Sequence, residues 1–392
     1  MNKYGVLLIG GMRTHQPNYA TAFAADPRCR LVAVTCEPDM DEERTAHYRQ
    51  FAEHLNLPYI SDLHQALQRA DVHIVSSTPA IEQRGQVVVR CLDAGKHVYL
   101  DKPLAASMED ADAIVSASKR SSGRTQMFTF NTAAWVQRAK QAINAGHVGQ
   151  VKAIHAETLF AKGRAGTAGK TASRVEHPTR SRYTFVEAKR EMFDLSVYSL
   201  AAISALTDLE AQSVVGHTGN YIFAEHVGVD VEDVGALAIT LRGGVTATAL
   251  GGRFGWTSHP KAGPLRIVVI GTKATLTFDA YQPRIEIYND EPDFTMPPVD
   301  PLDPMGMWRP SNPRYAPNPK RRWVALTESE NVAAMDVAAF IDCIEEERQP
   351  SMDAQAAALN LEIVLAGYIS ASRNESVRLP LPRTSRRDDL DI

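Results

Sequence analysis

Apolar residues follow two different rhythms along this chain, and the change between them divides it. Up to residue 130, short apolar runs at 4–9, 30–35, 58–60, 72–75, 98–100 and 125–130 alternate with stretches of helical period at 18–25, 41–55, 62–68, 83–92 and 109–121. Strands alternating with helices at this spacing predict a parallel, doubly wound sheet. Beyond residue 131, a helix to 145 and a strand over 151–160 precede strand-like runs at 210–217, 235–241, 246–250, 265–270, 274–279 and 284–288. Turn residues separate the last six runs, Tyr281-Gln282-Pro283 among them, so they predict an open, mostly antiparallel sheet. Helices at 332–347 and 352–372 and a short strand at 377–380 complete the pattern. The expected class is α/β plus α+β, with domains at 1–130 and 131–392.

Two long segments fit neither rhythm. Residues 161–190 carry many cations among small residues, with His177, Arg180, Arg182 and Tyr183 as candidates to reach an anionic or heavily hydroxylated substrate. A solvated excursion is the alternative. Within 292–328, the stretch 296–323 is rich in proline and reads as extended chain over the site or over a neighbouring subunit.

Composition narrows the class. A net charge of −4 gives no pull toward nucleic acid or an anionic membrane. No apolar run reaches the roughly 18 residues that span a bilayer. No signal-peptide pattern precedes the first strand, and the expected compartment is the cytoplasm. The four cysteines are far apart and the histidines show no ligand spacing, so no metal is expected.

Candidate chemistry collects at the ends of the predicted strands. The first strand ends at Gly10-Gly11, followed by Met12-Arg13-Thr14-His15 and a helix opening near Pro17. Strand, glycine turn and helix aim backbone N–H groups at a pyrophosphate, or form an ordinary loop. Only Gly10 is in register with the dinucleotide signature, because Met12 and His15 occupy the second and third glycine positions. Cys36 and Glu37 end the second strand, where an acid binds the adenosine ribose and favours NAD over NADP without excluding the latter. A solvated acidic loop is the competing reading. Thr78-Pro79 and Asp101-Lys102-Pro103 leave neighbouring strand ends and face one crevice, where Lys102 can manage the proton of a substrate hydroxyl. In a helix over 192–200, Asp194 and Tyr198 are four apart and share one face, either as core or as part of a site.

Ile9-Gly10, Thr78-Pro79, Ala94-Gly95-Lys96-His97-Val98, Asp101-Lys102-Pro103 and Phe130-Asn131 together resemble the glucose-fructose oxidoreductase, inositol dehydrogenase and rhizopine-catabolism family, Gfo/Idh/MocA. Family members usually read Glu-Lys-Pro where this chain has Asp101. The resemblance implies an NAD(P)-binding Rossmann domain, Lys102 as the catalytic lysine, and Asn131 at the cofactor. It extends to Gly271-Thr272-Lys273-Ala274-Thr275-Leu276 and implies a second sheet with helices on one face and a homodimer or homotetramer through the other. The family commonly shows Asp-x-Gly-x-His where this chain has Asp194, Ser196 and Tyr198, and tyrosine occurs there in some relatives. The expected activity is hydride transfer between the nicotinamide and a sugar, polyol or related hydroxy compound. Lys102, Asp194 and Tyr198 are its catalytic candidates. Glycoside cleavage with a retained cofactor and no net oxidation, or a cofactor-gated sensor, are the alternatives.

Overall fold

The computed structural model describes residues 4–11, 15–161, 190–221, 232–254, 265–279, 284–288, 322–325 and 331–383. Met12, Arg13, His177, Arg180, Arg182, Tyr183 and the turn at 281–283 lie outside them. The first sheet is parallel and contains β1 (Tyr4–Gly10), β2 (Cys29–Cys36), β3 (Ile74–Ser77), β4 (His97–Leu100) and β5 (Thr125–Met127), in the order β2-β1-β3-β4-β5. Its strands are buried along most of their length because helices cover both faces. Those helices include α1 (Gln16–Ala25), α2 (Glu42–His54), α3 (Leu63–Leu67), α4 (Arg84–Asp93) and α5 (Met108–Arg120). Side chains of Asp41, Asp62 and Ser107 cap the N-termini of α2, α3 and α5. Gly95 turns α4 into β4 with φ 72°, a conformation that favours glycine. The expected strand at 58–60 is reduced to one bridge, Val34 to Tyr59, since it lies outside the edge strand β2 and pairs on one side only.

The second sheet has nine strands: β6 (Val151–Ala161), β7 (Ala211–Gly219), β8 (Val234–Leu241), β9 (Thr246–Phe254), β10 (Leu265–Gly271), β11 (Thr275–Asp279), β12 (Arg284–Tyr288), β13 (Arg322–Ala325) and β14 (Val377–Arg378). Their order is β13-β12-β11-β10-β6-β9-β8-β7-β14, and every pairing is antiparallel except β6 with β9. That parallel pair arises because α7 (Glu191–Thr207) and the hairpin β7–β8 intervene between its two strands. Strand β13 corrects the expectation of a structureless segment over 292–328: residues 322–325 pair with β12. Helices α7 and α9 (Ala354–Arg373) pack on one face of the sheet. Gly216 permits close approach of α9, since a Cβ there would lie 2.1 Å from the Gly367 carbonyl oxygen. Val215 and Ile270 stand exposed on the opposite face. By length and composition α9 could cross a membrane, but most of it is buried inside the fold.

Helix α6 (Ala134–Asn144) follows the first sheet, whereas α8 (Val332–Glu345) returns to it from the far end of the sequence. Val337, Phe340, Ile341 and Ile344 of α8 join Tyr19, Phe23 and Tyr99 in one cluster. Asp336 enters with them, fully buried. Its carboxylate accepts hydrogen bonds from the Tyr99 hydroxyl at 2.7 Å, Gln126 Nε2 at 3.1 Å and the Thr132 hydroxyl at 3.0 Å. Burial pushes its carboxyl up to about 7, against the opposing pull of those three donors.

The folded chain therefore holds a proton that the unfolded chain releases near pH 4, so this carboxyl's contribution to stability is lost as pH rises from about 4 to about 7. Glu232, raised by burial to about 7 as well, acts in the same window. His97, which burial lowers to about 4, makes the opposing contribution. Asp336→Asn is expected to remove its own share of the loss, leaving those of Glu232 and His97, and to match or exceed wild-type stability at pH 8. Urea unfolding at pH 5 and pH 8 measures this, and an unchanged slope would contradict it.

Candidate active site

Strand β4 ends at Leu100, and the chain leaves it as Asp101, Lys102 and Pro103, with Lys102–Pro103 cis. Asp101 is anchored on all sides. Its Oδ1 accepts from the Tyr19 hydroxyl at 2.8 Å and lies 2.9 Å from His15 Nδ1, while Oδ2 accepts from Arg84 Nη2 at 2.8 Å. Burial by itself would raise this carboxyl; His15 and Arg84 override burial and hold it far below the usual carboxylate range. Arg84, fully enclosed in α4, also donates to the carbonyls of Pro79, Asp101 and Pro103. One guanidinium thus ties the loop after β3 to the loop after β4. The sequence signal for it is a charge inside the apolar run 83–92, and it went unread.

Lys102 reaches the other half of the molecule. Its Nζ donates to Asp194 Oδ1 at 2.8 Å and to the Asp194 carbonyl at 3.0 Å. Both side chains are more than nine-tenths buried. Desolvation would lower the lysine, but Asp194 first, then Tyr198 and Asp101, reverse this and raise it above its ordinary value. The ammonium sits 5.1 Å above the centre of the Tyr198 ring, whose centroid is 4.5 Å from that of the stacked Phe130 ring. Lys102 therefore faces the ring of Tyr198, a different contact from the phenol-to-ammonium approach expected of a shared proton.

The first turn of α7 fixes Asp194. Glu232 Oε1 accepts from the Met192 N–H at 3.2 Å and from the Tyr368 hydroxyl, while Tyr368 in turn accepts from the Phe193 N–H at 3.1 Å. Ser196 lies against β9, where a Cβ on Gly251 would come within 2.3 Å of its hydroxyl. The sequence offered no signal for Glu232 or Tyr368.

The residues proposed for a dinucleotide fall into two groups. Asn131 follows Phe130, whose ring stacks on Tyr198; it is buried, and among the described residues neither its amide oxygen nor its amide nitrogen has a partner, the Ser77 hydroxyl being in the same condition. A buried donor and acceptor left together is costly without a ligand, and the pair complements a carboxamide. At the turn after β1, a Cβ on Gly11 would meet Glu37 Oε2 at 2.2 Å and the Pro79 Cα at 2.7 Å, so the backbone lies close to the loop after β3. Thr78 donates its hydroxyl to the Ile9 carbonyl at 3.1 Å. These features fit a dinucleotide across the ends of β1, β3 and β4.

Glu37 and Cys36 are placed differently from the expected ribose contacts. The Glu37 carboxylate is buried, accepting from the Ala80 N–H at 2.5 Å and from Arg44 Nη1 at 2.9 Å. Cys36 is buried too, and burial pushes its thiol up to about 12. Among the described residues no cluster of three or more His, Cys, Asp or Glu is placed to hold a metal ion.

Comparison with known proteins gives matches over both domains. The family described as "Oxidoreductase family, NAD-binding Rossmann fold" matches residues 4–129, and that described as "GFO/IDH/MocA C-terminal domain" matches residues 136–277. Inositol 2-dehydrogenase of Salmonella typhimurium is 30% identical over 98 residues, 24% of this chain and 29% of that protein. The 4-carboxy-2-hydroxymuconate-6-semialdehyde dehydrogenase of a Sphingobium species is 37% identical over 59 residues, 15% of this chain and 19% of that protein. The chain thus aligns with under a third of these curated relatives' length. Among solved structures, an oxidoreductase domain protein from Kribbella flavida superposes with a TM-score of 0.75 at 17% identity, covering 97% of this chain and all of the other. Levoglucosan dehydrogenase in complex with NADH and levoglucosan superposes at 0.73 and 17% identity, with 97% and 100% covered. Aldose-aldose oxidoreductase from Caulobacter crescentus, complexed with glycerol, gives 0.70 at 18% identity, with 96% and 100% covered. At such identities the likeness establishes the fold.

Proposed function

Because the chain belongs to the Gfo/Idh/MocA oxidoreductase family, whose Rossmann domain binds NAD, we propose that it transfers a hydride between a nicotinamide dinucleotide and a carbinol carbon. The substrate is a sugar, polyol or related hydroxy compound. The observation that carries this reading is the ion pair between Lys102 and Asp194, 2.8 Å long, joining the two halves of the chain.

When bound, the dinucleotide supplies a hydride acceptor or donor at the nicotinamide. The chain supplies the proton chemistry. An ammonium has three N–H donors, and Lys102 commits two of them to Asp194, leaving one for a substrate oxygen. Held protonated by its surroundings, Lys102 is the acid that completes an alcohol in the reductive direction. In oxidation the same charge stabilises the alkoxide as the C–H bond breaks. Asp194 orients the ammonium, and Tyr198, stacked on Phe130, lays its ring face beneath that ammonium and closes the site against water. His177, Arg180, Arg182 and Tyr183 belong to this reading as substrate contacts. So do assembly as a homodimer or homotetramer through the open sheet face and residence in the cytoplasm.

The test is a panel of inositols, aldoses and other polyols with NAD and NADP, followed by formation of the reduced cofactor. At least one polyol is expected to reduce NAD, the dinucleotide that the family's Rossmann domain binds. Tight cofactor binding with no turnover across the panel would contradict the proposal and favour a sensor.

A further inference from the structure

Two of the departures from the expected motifs meet in space. One is the shorter acid, Asp101, ahead of Lys102; the other is histidine at the third glycine position of the turn after β1. Their side chains approach to 2.9 Å, His15 Nδ1 to Asp101 Oδ1. Asp101 is an acceptor, so Nδ1 carries the hydrogen and the ring is fixed with Nε2 as its outer nitrogen. Nε2 has no hydrogen-bond partner among the described residues, and the His15 side chain is 28% exposed whereas Asp101 is fully enclosed. His15 also occupies the N-cap of α1 without capping it. It therefore stands at the helix end next to the crevice between β1 and β3, where a doubly wound sheet receives a pyrophosphate.

We propose that His15 binds the pyrophosphate of the dinucleotide through Nε2, with Asp101 holding the imidazole by Nδ1. The inference rests on the NAD-binding reading and assigns a residue that the glycine signature leaves out. A turn with glycine at this position offers a phosphate its bare backbone. Here the imidazolium form supplies the contact, donating Nε2–H to a phosphate oxygen while Asp101 accepts Nδ1–H. The groups facing it are Asp101 from the end of β4 and Tyr19 from α1, with ring centroids 6.2 Å apart. Arg84 of α4 and Lys102 lie beyond Asp101 and are engaged, Arg84 by Asp101 and three carbonyls, Lys102 by Asp194.

His15→Asn separates binding from architecture, because its amide nitrogen can reach Asp101 as Nδ1 does while nothing replaces Nε2. His15→Gln, which offers a neutral donor farther out, is the second variant. NADH and ADP-ribose affinities are measured on the full chain, with thermal unfolding as the folding control. In His15→Asn both should be weakened about tenfold or more. Wild-type affinity in the folded variants, or loss for NADH but not for ADP-ribose, would overturn the proposal. Failure of the wild-type chain to bind NADH would instead overturn the functional reading beneath it.

Discussion

Replacing Lys102 by methionine is expected to lower kcat by about a thousandfold while leaving the Kd for NADH within a few-fold of wild type. A positioned acid or base contributes roughly 10²–10⁴ to rate, and this lysine is asked both to hold the proton and to stabilise the developing alkoxide. Methionine keeps the length of the stem and removes only the charge. The ammonium is engaged by Asp194, so its loss falls on the substrate side of the site and spares the contacts with the dinucleotide. Lys102→Arg restores the charge with a planar group of different reach and should recover little of the rate. Stopped-flow turnover and NADH fluorescence titration on the same preparations separate the two parameters. A variant with near-wild-type kcat would remove Lys102 from the mechanism. A variant unable to bind NADH would move it from proton transfer to cofactor binding.

The second large effect is structural. Arg84→Met should destabilise the fold by about 3–5 kcal/mol, because removing one partner of a buried pair leaves the other charge uncompensated. Arg84 is 2% exposed, and its donors serve the Asp101 carboxylate and three backbone carbonyls. Methionine fills the volume and supplies none of those hydrogen bonds, leaving the enclosed Asp101 carboxylate to the Tyr19 hydroxyl and the partly exposed His15 ring. Chemical denaturation reports the loss directly. A change under 1 kcal/mol would mean that Asp101 is sustained by Tyr19 and His15 alone.

How far these effects could be read from the sequence depends on what each residue announces locally. Period and turn chemistry placed the helices and nearly all the strands, since both sheets bury alternating or continuous apolar runs that a single sequence displays. Strand β13 escaped because Arg322–Ala325 adjoins a proline-rich, basic stretch, and its pairing with β12 is set by a partner 37 positions away in register. The cluster of Lys102, Asp194 and Tyr198 was found through motif spacing, but the contact of the ammonium with the ring face of Tyr198 was not, because Phe130 fixes the ring. Glu37 looked like a free acid at a strand end; Ala80 and Arg44, which engage it, are distant in sequence or on another element. Arg84 and Asp336 were each visible as a charge on an apolar helical face, a signal that becomes informative only when the buried partner is known. His15 stands where the dinucleotide signature has glycine, and its contact with Asp101, 86 positions on, belongs to the folded chain alone.

The central claim is that Lys102 and Asp194 complete a site for hydride transfer, and isotopic transfer tests it most directly. The wild-type chain is given NAD and a polyol deuterated at its carbinol carbons, and the reduced cofactor is isolated and analysed by mass spectrometry and NMR. The account predicts one deuterium at C4 of the nicotinamide, on a single face, and its disappearance in Lys102→Met. Reduced cofactor without deuterium, or equal labelling by the variant, would contradict it.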